Sequence, residues 1–283
     1  MRFVYYLERI FLWLMIGLIL HSLILFFWDT KKVKEKGALI ESVVRTTQFG
    51  ARLENDQAFD YTLWFPLYQR STEVPLIVPL GPKGNGYRVG TWYDKRIGWT
   101  QKVGIRQELD FNSIFVHPTN ATQKDFYGST DEWAKLVGAP SHSLGRIAVS
   151  TRHPISPAGL LDMLSPYGVS VEWMPVYEDR MDEYPLLGIS PPKNEKAHVL
   201  TERNLPASIQ LFQQDIAEIR RYEKEASSWL GRELNLAERE KKLSRQSIQV
   251  YGAILTGRVE QLVKLRQLLQ LHSPHVLTLQ LDF

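Results

Sequence analysis

The feature that most constrains this chain is an uncharged apolar stretch, IFLWLMIGLILHSLILFFW, from Ile10 to Trp28. An α-helix rises about 1.5 Å per residue, so this stretch would form a helix roughly 28 Å long, close to the thickness of a bilayer's hydrocarbon core. Aromatic side chains, which favour membrane interfaces, lie near both ends, among them Tyr6 and Trp28. The sequence therefore predicts a transmembrane helix at residues 10–28.

A cleaved signal peptide and a buried core helix are the two other interpretations of this stretch. No small-x-small cleavage pattern follows it, because the apolar core ends in Phe26, Phe27 and Trp28 and then in the charged run DTKKVKEK. A helix that is apolar on all sides is also uncommon in a domain of this size. We expect an uncleaved anchor, preceded by a short tail at residues 1–9.

The charges that flank the stretch do not fix its orientation. Arg2 and Arg9 precede it, and four lysines follow it between residues 31 and 36. The positive-inside rule, taken alone, favours a cytoplasmic C-terminal part, but the rule is weak when both flanks are basic. The flanking charges leave the topology open.

The composition of the remaining chain limits its function. Apolar residues make up 44% of the sequence, so residues 37–283 can bury a core as one large or two small domains. The absence of cysteine excludes disulfides, a thiol nucleophile and thiolate metal sites. The net charge of +3 is small and mixed, and it predicts no nucleic-acid partner.

The first half of this part divides into a linker and a β-rich region. Residues 29–58 are predicted as a juxtamembrane helix or linker, in which Leu39, Val43 and Val44 have near-helical spacing. Residues 59–140 are β-rich, and the candidate strands are YTLWF, PLIVPL, YRVGTWY and FNSIFV, separated by proline and glycine. A short helix, DEWAKL, precedes the boundary that we place near Pro140.

Residues 141–283 have the pattern of two β-α-β units. In the first, the strand RIAVST is followed by a helix that Ser156 caps and that ends at Gly168, and then by the strand VSVEWMPVYE. In the second, the strand SIQVYGAILT is followed by a helix that opens at Gly257, and HVLTLQL is the closing strand. The helix is predicted to carry four leucines on one face: Leu262, Leu265, Leu268 and Leu269.

Two such units with right-handed crossovers most simply form one sheet, which is ferredoxin-like in outline. Between them, residues 206–243 are predicted to be helical, and Asn235 with Glu238 indicates a cap at which the helix restarts. This insertion would cover the sheet or form a protruding arm. The predicted fold class is α+β, with an N-terminal transmembrane helix, a β-rich middle region and this C-terminal domain.

The glycine motifs favour structural roles. The loop GPKGNG at residues 81–86 lacks the Lys-Ser/Thr pair of a phosphate-binding loop, so we expect a hairpin there. Gly252 and Gly257 have similar spacing without the lysine, and we expect them to allow close strand packing and a turn into the helix. The triplet Asn120-Ala121-Thr122 is a glycosylation sequon, which is common by chance.

Polar clusters give little support for an active site. Glu178, Asp179, Asp182 and Glu183 could bind a divalent cation, but their spacing fits no calcium loop, and a solvated connection is the favoured interpretation. Four histidines flank two predicted strands without a helical metal-binding pair, and surface positions are expected for them: His142, His153, His272 and His275. No serine-nucleophile motif is present. We therefore predict no catalytic, cofactor-binding or metal-binding residue, and no enzyme.

Several segments carry a resemblance to a known family. They are GRIAVSTRHPISPAGLLDML at 145–164, VEWMPVYE at 171–178, LGI at 187–189 and SIQVYGAILTGRVEQLVKL at 247–265. With these residues, the part from Gly145 to Phe283 resembles the sigma factor regulator C-terminal domain, which is found in membrane-bound anti-sigma factors of Firmicutes. The Tyr-Gly-(apolar)-Thr-Gly pattern before an apolar helix is the most distinctive of these features.

The resemblance implies an orientation and a set of partners. In that family a cytoplasmic N-terminal segment holds an extracytoplasmic-function sigma factor, one membrane helix follows, and this domain lies outside the membrane. The implied topology is N-terminus in and C-terminus out at the cell membrane, and we give it precedence over the marginal charge count. The implied function is that of a regulator that senses or transmits envelope signals through protein–protein contacts.

This chain departs from the family at its start, where only Met1 to Arg9 precede the helix. Specific interfaces use about 20 to 30 residues a side, so we expect this tail not to hold a sigma factor by itself. The expected partners are the lipid bilayer, a membrane anti-sigma subunit and, indirectly, the sigma factor. Contact could pass through Gly17 and Ser22 of the anchor, which permit close helix approach, or through the insertion.

Two other classes of function stay open. The chain could be a structural or assembly component of an envelope membrane complex without a role in transcription, or a membrane-tethered enzyme of a kind that the motifs above do not identify.

Overall fold

The computed structural model describes residues 2–48, 51–53, 61–63, 68–79, 86–97, 100–107, 114–118, 130–178, 184–192, 198–243 and 247–280. Some side chains within these ranges are not described, including those of Ser22 and residues 25–36. The sequon at residues 120–122 and the acidic residues Asp179, Asp182 and Glu183 lie outside the described residues.

The first element, α1, is a single helix from Arg2 to Thr47. It contains both the predicted anchor and most of the predicted juxtamembrane segment, which is helical and not an open linker. Among the residues and side chains that the structure describes, no helix is both long enough and apolar enough to cross a membrane.

A first sheet follows α1. Its strands are β1 (Arg52–Leu53), β2 (Tyr61–Leu63), β3 (Tyr68–Pro79), β4 (Gly86–Ile97) and β5 (Thr100–Gln107). All pairs are antiparallel, in the order β1-β3-β4-β5, with β2 also paired to β3. Pro79 pairs with Gly86, so the predicted hairpin at residues 81–86 is confirmed by its flanks, while its tip lies outside the described residues.

The prediction of a strand at FNSIFV is wrong for its described part. Residues 114–116 form a turn and irregular chain, in which Ile114 and Phe115 are buried. The Val116 N–H donates to the Ser150 hydroxyl, at 2.9 Å, and not to a neighbouring strand. The strand β5 was not among the predicted strands, because TQKVGIRQ contains too many polar residues to stand out as one.

The second sheet carries the two predicted β-α-β units. Its elements begin after helix α2 (Thr130–Gly138) and are β6 (Leu144–Ile155), α3 (Pro157–Leu164), β7 (Ser170–Pro175), β8 (Gly188–Ile189), β9 (Val250–Arg258), α7 (Val259–Lys264) and β10 (Leu271–Gln280). The strand order is β10-β6-β9-β7-β8, and every pair is antiparallel. Strand β9 of the second unit lies between β6 and β7 of the first. The prediction that both units lie in one sheet is therefore confirmed.

The helix boundaries of these units are partly as predicted. The Ser156 hydroxyl accepts a hydrogen bond from the Gly159 N–H, which confirms the predicted cap of α3, and the chain leaves the helix at Gly168. Helix α7 begins at Val259, whereas Gly257 stays in β9. Of the four leucines predicted on one face of this helix, Leu262 lies in α7, whereas Leu265, Leu268 and Leu269 lie beyond its end, and Leu269 is exposed.

The predicted helical insertion is confirmed as three helices: α4 (Leu205–Arg221), α5 (Glu223–Leu230) and α6 (Leu236–Leu243). Asn235 precedes α6 as predicted, but its amide donates to Glu238, and the Leu236 N–H is capped by the Glu223 carboxylate at 2.8 Å. Helix α4 packs against α1 and β8. The insertion therefore covers the domain and is not a protruding arm.

One hydrophobic core connects these parts. It includes Leu76 and Trp92 from the first sheet, Ile147 and Leu255 from the second, and Val43 from α1. Helix α5 contacts β5 as well as α1, and so joins the insertion to the first sheet. The end of α1 is consequently enclosed by the insertion and both sheets, and this enclosure contains a buried polar site.

Candidate functional site at the junction of helix α1 and the C-terminal domain

The last turns of α1 dock into the domain through one apolar face. Leu39, Ile40, Val43 and Val44 follow the three-and-four spacing that places side chains on one side of a helix, and each is no more than 3% exposed. Helix α1 here packs against α4, α5 and β8. This part of α1 belongs to the core of the domain, and of the helix and the linker predicted for residues 29–58, the helix is correct as far as Thr47.

A two-pronged ion pair fixes this helix to α4. The Arg45 Nε and Nη2 atoms donate to the two carboxylate oxygens of Asp215, both at 2.7 Å. The Ser42 hydroxyl, one turn earlier, donates to the Asp215 Oδ1 atom at 2.8 Å. Paired N–H donors on one carboxylate fix orientation as well as distance, so rotation or sliding of α1 against α4 would break at least one bond.

Burial and charge act in opposite directions on this arginine. Burial lowers the pKa of the Arg45 guanidinium, but the hydrogen bond and the charge of Asp215, together with the charge of Glu41, outweigh burial and raise that pKa above its ordinary value. The Asp215 side chain is only 5% exposed. Because an unpaired charge at that depth is costly, each partner depends on the other.

Hydroxyl groups donate to three carbonyls near the buried end of α1, and one of these, that of Arg45, is among the last four carbonyls that a helix end leaves without intrahelical partners. The Thr46 and Thr47 hydroxyls donate to the carbonyls of Ser42 and Val43, each at 2.7 Å. The Ser190 hydroxyl, next to β8, donates to the Arg45 carbonyl at 2.8 Å. The junction is thus a matched polar and apolar surface on α1, α4 and β8.

A second buried pair corrects the prediction for the acidic cluster. Glu178 is buried, and its carboxylate accepts hydrogen bonds from Arg239 Nε and Nη2 at 2.7 and 3.0 Å. Arg239 also donates to the Pro185 and Leu234 carbonyls. Glu178 therefore ties α6 to the strand end after β7, and it is neither a solvated residue nor a free cation ligand.

A third pair lies within the second sheet. The Arg146 Nε atom of β6 donates to the Glu172 Oε2 atom of β7, and the Thr256 hydroxyl of β9 donates to the Glu172 Oε1 atom, both at 2.5 Å. Arg146 is 2% exposed. The contact fixes the register of three neighbouring strands.

Aromatic side chains cover the same sheet face. Phe115 packs over Gly252, where a Cβ atom would meet the Val149 carbonyl at 2.4 Å, so the predicted close packing at that glycine is confirmed. His117 stacks on Tyr177 with ring centroids 5.1 Å apart, and its Nε2 atom donates to the Glu178 carbonyl at 2.8 Å. The sequence did not single out this buried histidine. His142, His153 and His275 are exposed, as predicted.

These polar groups hold elements of the fold together. Arg45, Arg146 and Arg239 each pair with a carboxylate on another element. Within the described part of the chain, no group of three or more metal-ligating side chains is present. The junction can therefore couple the position of α1 to the positions of α4 and β8.

Sequence reasoning missed Arg45, Asp215 and Ser190 because their partners are far away in the chain. Ser42 and Arg45 lie on the same side of α1 as the spacing of three requires, and Asp215 interrupts the apolar stripe of α4 among Phe212, Ile216 and Ile219. A buried position occupied by aspartate was the available signal. Of the proposed contact residues in the anchor, Gly17 has open space around it, and the Ser22 side chain is not described.

Comparison with known protein families agrees with the resemblance. The model of the sigma factor regulator C-terminal family matches residues 136–281, just over half of the 283 residues, from the end of α2 to the end of the chain. Neither a curated protein nor a solved structure matches the chain. The matched range contains the whole second sheet, the insertion and Asp215, and the chain belongs to the sigma factor regulator C-terminal family.

Proposed function

We propose that this protein is a membrane-anchored sigma factor regulator whose C-terminal domain transmits its state along helix α1. The family is regulatory, and a role like that of an anti-sigma factor follows from membership. The observation that carries the proposal is the continuity of α1 from Arg2 to Thr47, with its last turns fixed in the domain by Arg45 and Asp215. A change in the domain at this junction would shift or rotate the whole helix.

The anchor itself is supported by sequence and by exposure. The stretch from Ile10 to Trp28 has the length and composition of a membrane span. Its described large apolar side chains are exposed to a degree that ranges from 37% at Ile16 to 70% at Trp13. Continuous apolar exposure of this kind is unfavourable in water and favourable in lipid.

The orientation in this proposal follows the family resemblance. The N-terminus would lie in the cytoplasm and the C-terminal domain outside, at the cell membrane. The partners would be the lipid bilayer, a membrane protein such as an anti-sigma subunit and, through it, the sigma factor. The interleaved strand order of the second sheet supports the ferredoxin-like outline. We also propose that a domain boundary lies near residue 140, as the sequence predicts.

The test changes the rotation of the exposed part of α1 relative to its docked part. Alanines are inserted after Gly37, between the exposed and the docked parts of the helix, in a strain that carries a reporter for the dependent sigma factor. One inserted residue rotates the anchor by about 100° relative to the domain, whereas seven restore its direction to within about 20°. We expect one residue to change reporter output and seven to restore it, with equal amounts of protein in the membrane.

Two results would contradict the proposal. Output that is the same for every insertion would show that α1 is only a tether. Deletion of the gene without any change in sigma-dependent transcription would favour a structural component of an envelope complex.

A further inference from the structure

The outer face of the first sheet carries an excess of positive charge. In the strand register, Tyr93 lies opposite Glu73 on one side and Gly104 on the other, and Lys95 lies opposite Lys102. Residues two apart in a strand share a face, so these side chains lie on one side of the sheet together with Arg106. The opposite side carries Val74, Leu76 and Trp92, which are buried in the core.

We call this surface the basic face: Arg88, Tyr93, Lys95, Lys102 and Arg106. Arg88 belongs to it because the register shifts between Leu76 and Ile77 and places Arg88 opposite Ile77, which shares a face with Glu73. The four cationic residues of the basic face are exposed. Among the described residues that the register assigns to this side, Glu73 is the one carboxylate, and it lies 2.8 Å from the Lys95 Nζ atom. Within the described part of this sheet face, four exposed cationic residues thus accompany one carboxylate.

Three of these cations act together on the pKa of the Glu73 carboxyl. The pKa of the Glu73 carboxyl is lowered first by the hydrogen bond and charge of Lys95 and then by Arg106 and Arg88. The Arg106 guanidinium lies 6.0 Å from the centroid of the Tyr93 ring, and the Tyr93 side chain extends across Gly104. A flat surface of cations around an aromatic ring suits anionic groups that approach from solvent.

The anchor would hold this surface close to a membrane. The helical path from Trp28 to Leu39, where docking begins, is about 16 Å long at 1.5 Å per residue. A folded part of about 250 residues has a radius of gyration of roughly 18 Å. Its surface would therefore stay near the lipid headgroups. The effective concentration of headgroups at this surface would be higher than that of an anion free in solution.

We propose that the basic face binds the headgroups of anionic phospholipids in the membrane that holds α1. This inference rests on the membrane anchor of the proposed function. Basic side chains near an anionic bilayer surface add to one another's attraction, and the attraction decreases as salt screens it. Binding would restrict the tilt of the domain on its helix, and the lipid composition would then influence the position of α1.

The experiment measures the reactivity of lysine amines in the full-length protein. The chain is incorporated into nanodiscs of phosphatidylcholine alone or with one third phosphatidylglycerol, and it is labelled with an amine-reactive reagent and mapped by mass spectrometry. We expect Lys95 and Lys102 to react at least threefold more slowly in the anionic discs at low salt. This protection should be lost at about 0.5 M salt, where the screening length falls below about 5 Å.

Matched residues and variants provide the controls. Lys224 on α5 and Lys264 on α7 are also exposed, and they should react equally in both discs. The double variant Lys102→Glu, Arg106→Glu should abolish protection of Lys95. The variant Lys224→Glu, Lys264→Glu, which has the same change in net charge, should retain it.

Equal reactivity of Lys95 and Lys102 in both discs would overturn the proposal, as would equal protection of Lys224 and Lys264. Protection in phosphatidylcholine discs by soluble polyphosphate, at the same anion concentration as the lipid, would identify a soluble polyanion and not the membrane as the ligand. Failure of the protein to enter either disc would instead contradict the proposed anchor on which this inference rests.

Discussion

Helix α1 places similar residues in two opposite environments. Between Ile10 and Ile24 its described leucines and isoleucines are exposed, whereas Leu39, Ile40, Val43 and Val44 are buried. Both parts are helical and rich in branched aliphatic residues, so composition alone does not distinguish them. The difference is the presence of a protein partner, because α1 packs against α4, α5 and β8, and the bonds from Ser42 and Arg45 to Asp215 place the contact with α4 in the second part.

Polar residues show what the second part gains from this partner. Ser42 and Arg45 lie within its last two turns, and each donates a hydrogen bond to Asp215 that fixes the position of α1. In the first part, apolar side chains extend around the whole helix. The second part is held at a specific position, whereas the first part, as the proposed anchor, would need an apolar solvent but no specific contact.

The largest expected effect comes from charging the exposed part. In the double variant Ile16→Arg, Leu20→Arg, each central arginine costs about 2.5 to 3.5 kcal/mol on insertion scales. We expect most of the protein to leave the membrane fraction after an alkaline wash.

The control is Val137→Arg, Leu269→Arg, which charges two exposed apolar residues of the domain surface. This variant should remain in the membrane fraction. If the first variant also remained there in full amount, the exposed part of α1 would not be an anchor.

The next effect comes from breaking the ion pair in the docked part. In Arg45→Ala the buried Asp215 carboxylate loses both guanidinium bonds, and removal of one partner from a buried pair costs about 3 to 5 kcal/mol. Chemical denaturation of the detergent-solubilised protein should show a lower free energy of unfolding by this amount.

Arg221→Ala is the matched control on α4, because Arg221 is exposed and pairs only with Glu218 at 3.3 Å. Its loss should cost less than about 1 kcal/mol. Equal effects of the two substitutions would mean that the junction does not hold α1 as described.

A single aliphatic substitution in each part compares the two environments directly. Leu39→Ala removes a side chain that is 2% exposed and should lower the free energy of unfolding by about 2 to 5 kcal/mol. Leu20→Ala removes one that is 54% exposed and should change it by no more than about 0.5 kcal/mol. Denaturation of both variants in the same detergent makes the measurement, and similar losses would show that Leu20 also packs against protein.

Local patterns predicted much of the second sheet. The cap at Ser156, the left-handed turn at Gly168 that closes the helical segment after α3, and the apolar runs of β6, β7 and β9 all depend on neighbouring residues, which a sequence displays directly. The placement of both β-α-β units in one sheet could be predicted because the crossover rule limits the possible topologies.

The junction could not be predicted in the same way. Arg45 and Asp215 are separated by 170 residues, and no local sequence pattern around either residue indicates that the two pair. The segment FNSIFV was predicted as a strand from its aromatic and β-branched residues, but Phe115 packs on Gly252 and the Val116 N–H bonds to a serine hydroxyl and not to a strand. Burial can be inferred from composition, whereas the identity of the neighbour depends on the complete fold.

The smallest expected effect concerns Gly37, which lies in α1 just before the docked part. A Cβ atom at this glycine would meet no atom within 4 Å, so alanine fits without a clash. Glycine inside a helix is less favourable than alanine by about 0.8 to 1 kcal/mol, and Gly37→Ala should raise the free energy of unfolding by up to that amount. Gly231→Ala is the control of opposite sign, since Gly231 ends α5 with a φ of 67° that alanine adopts at a cost of about 1 to 2 kcal/mol.

Hydrogen exchange of the amides around residue 37 should slow in Gly37→Ala, because local opening of the helix becomes rarer. Unchanged exchange there would show that α1 is already rigid between its exposed and docked parts, and that transmission along it does not depend on a flexible point at Gly37.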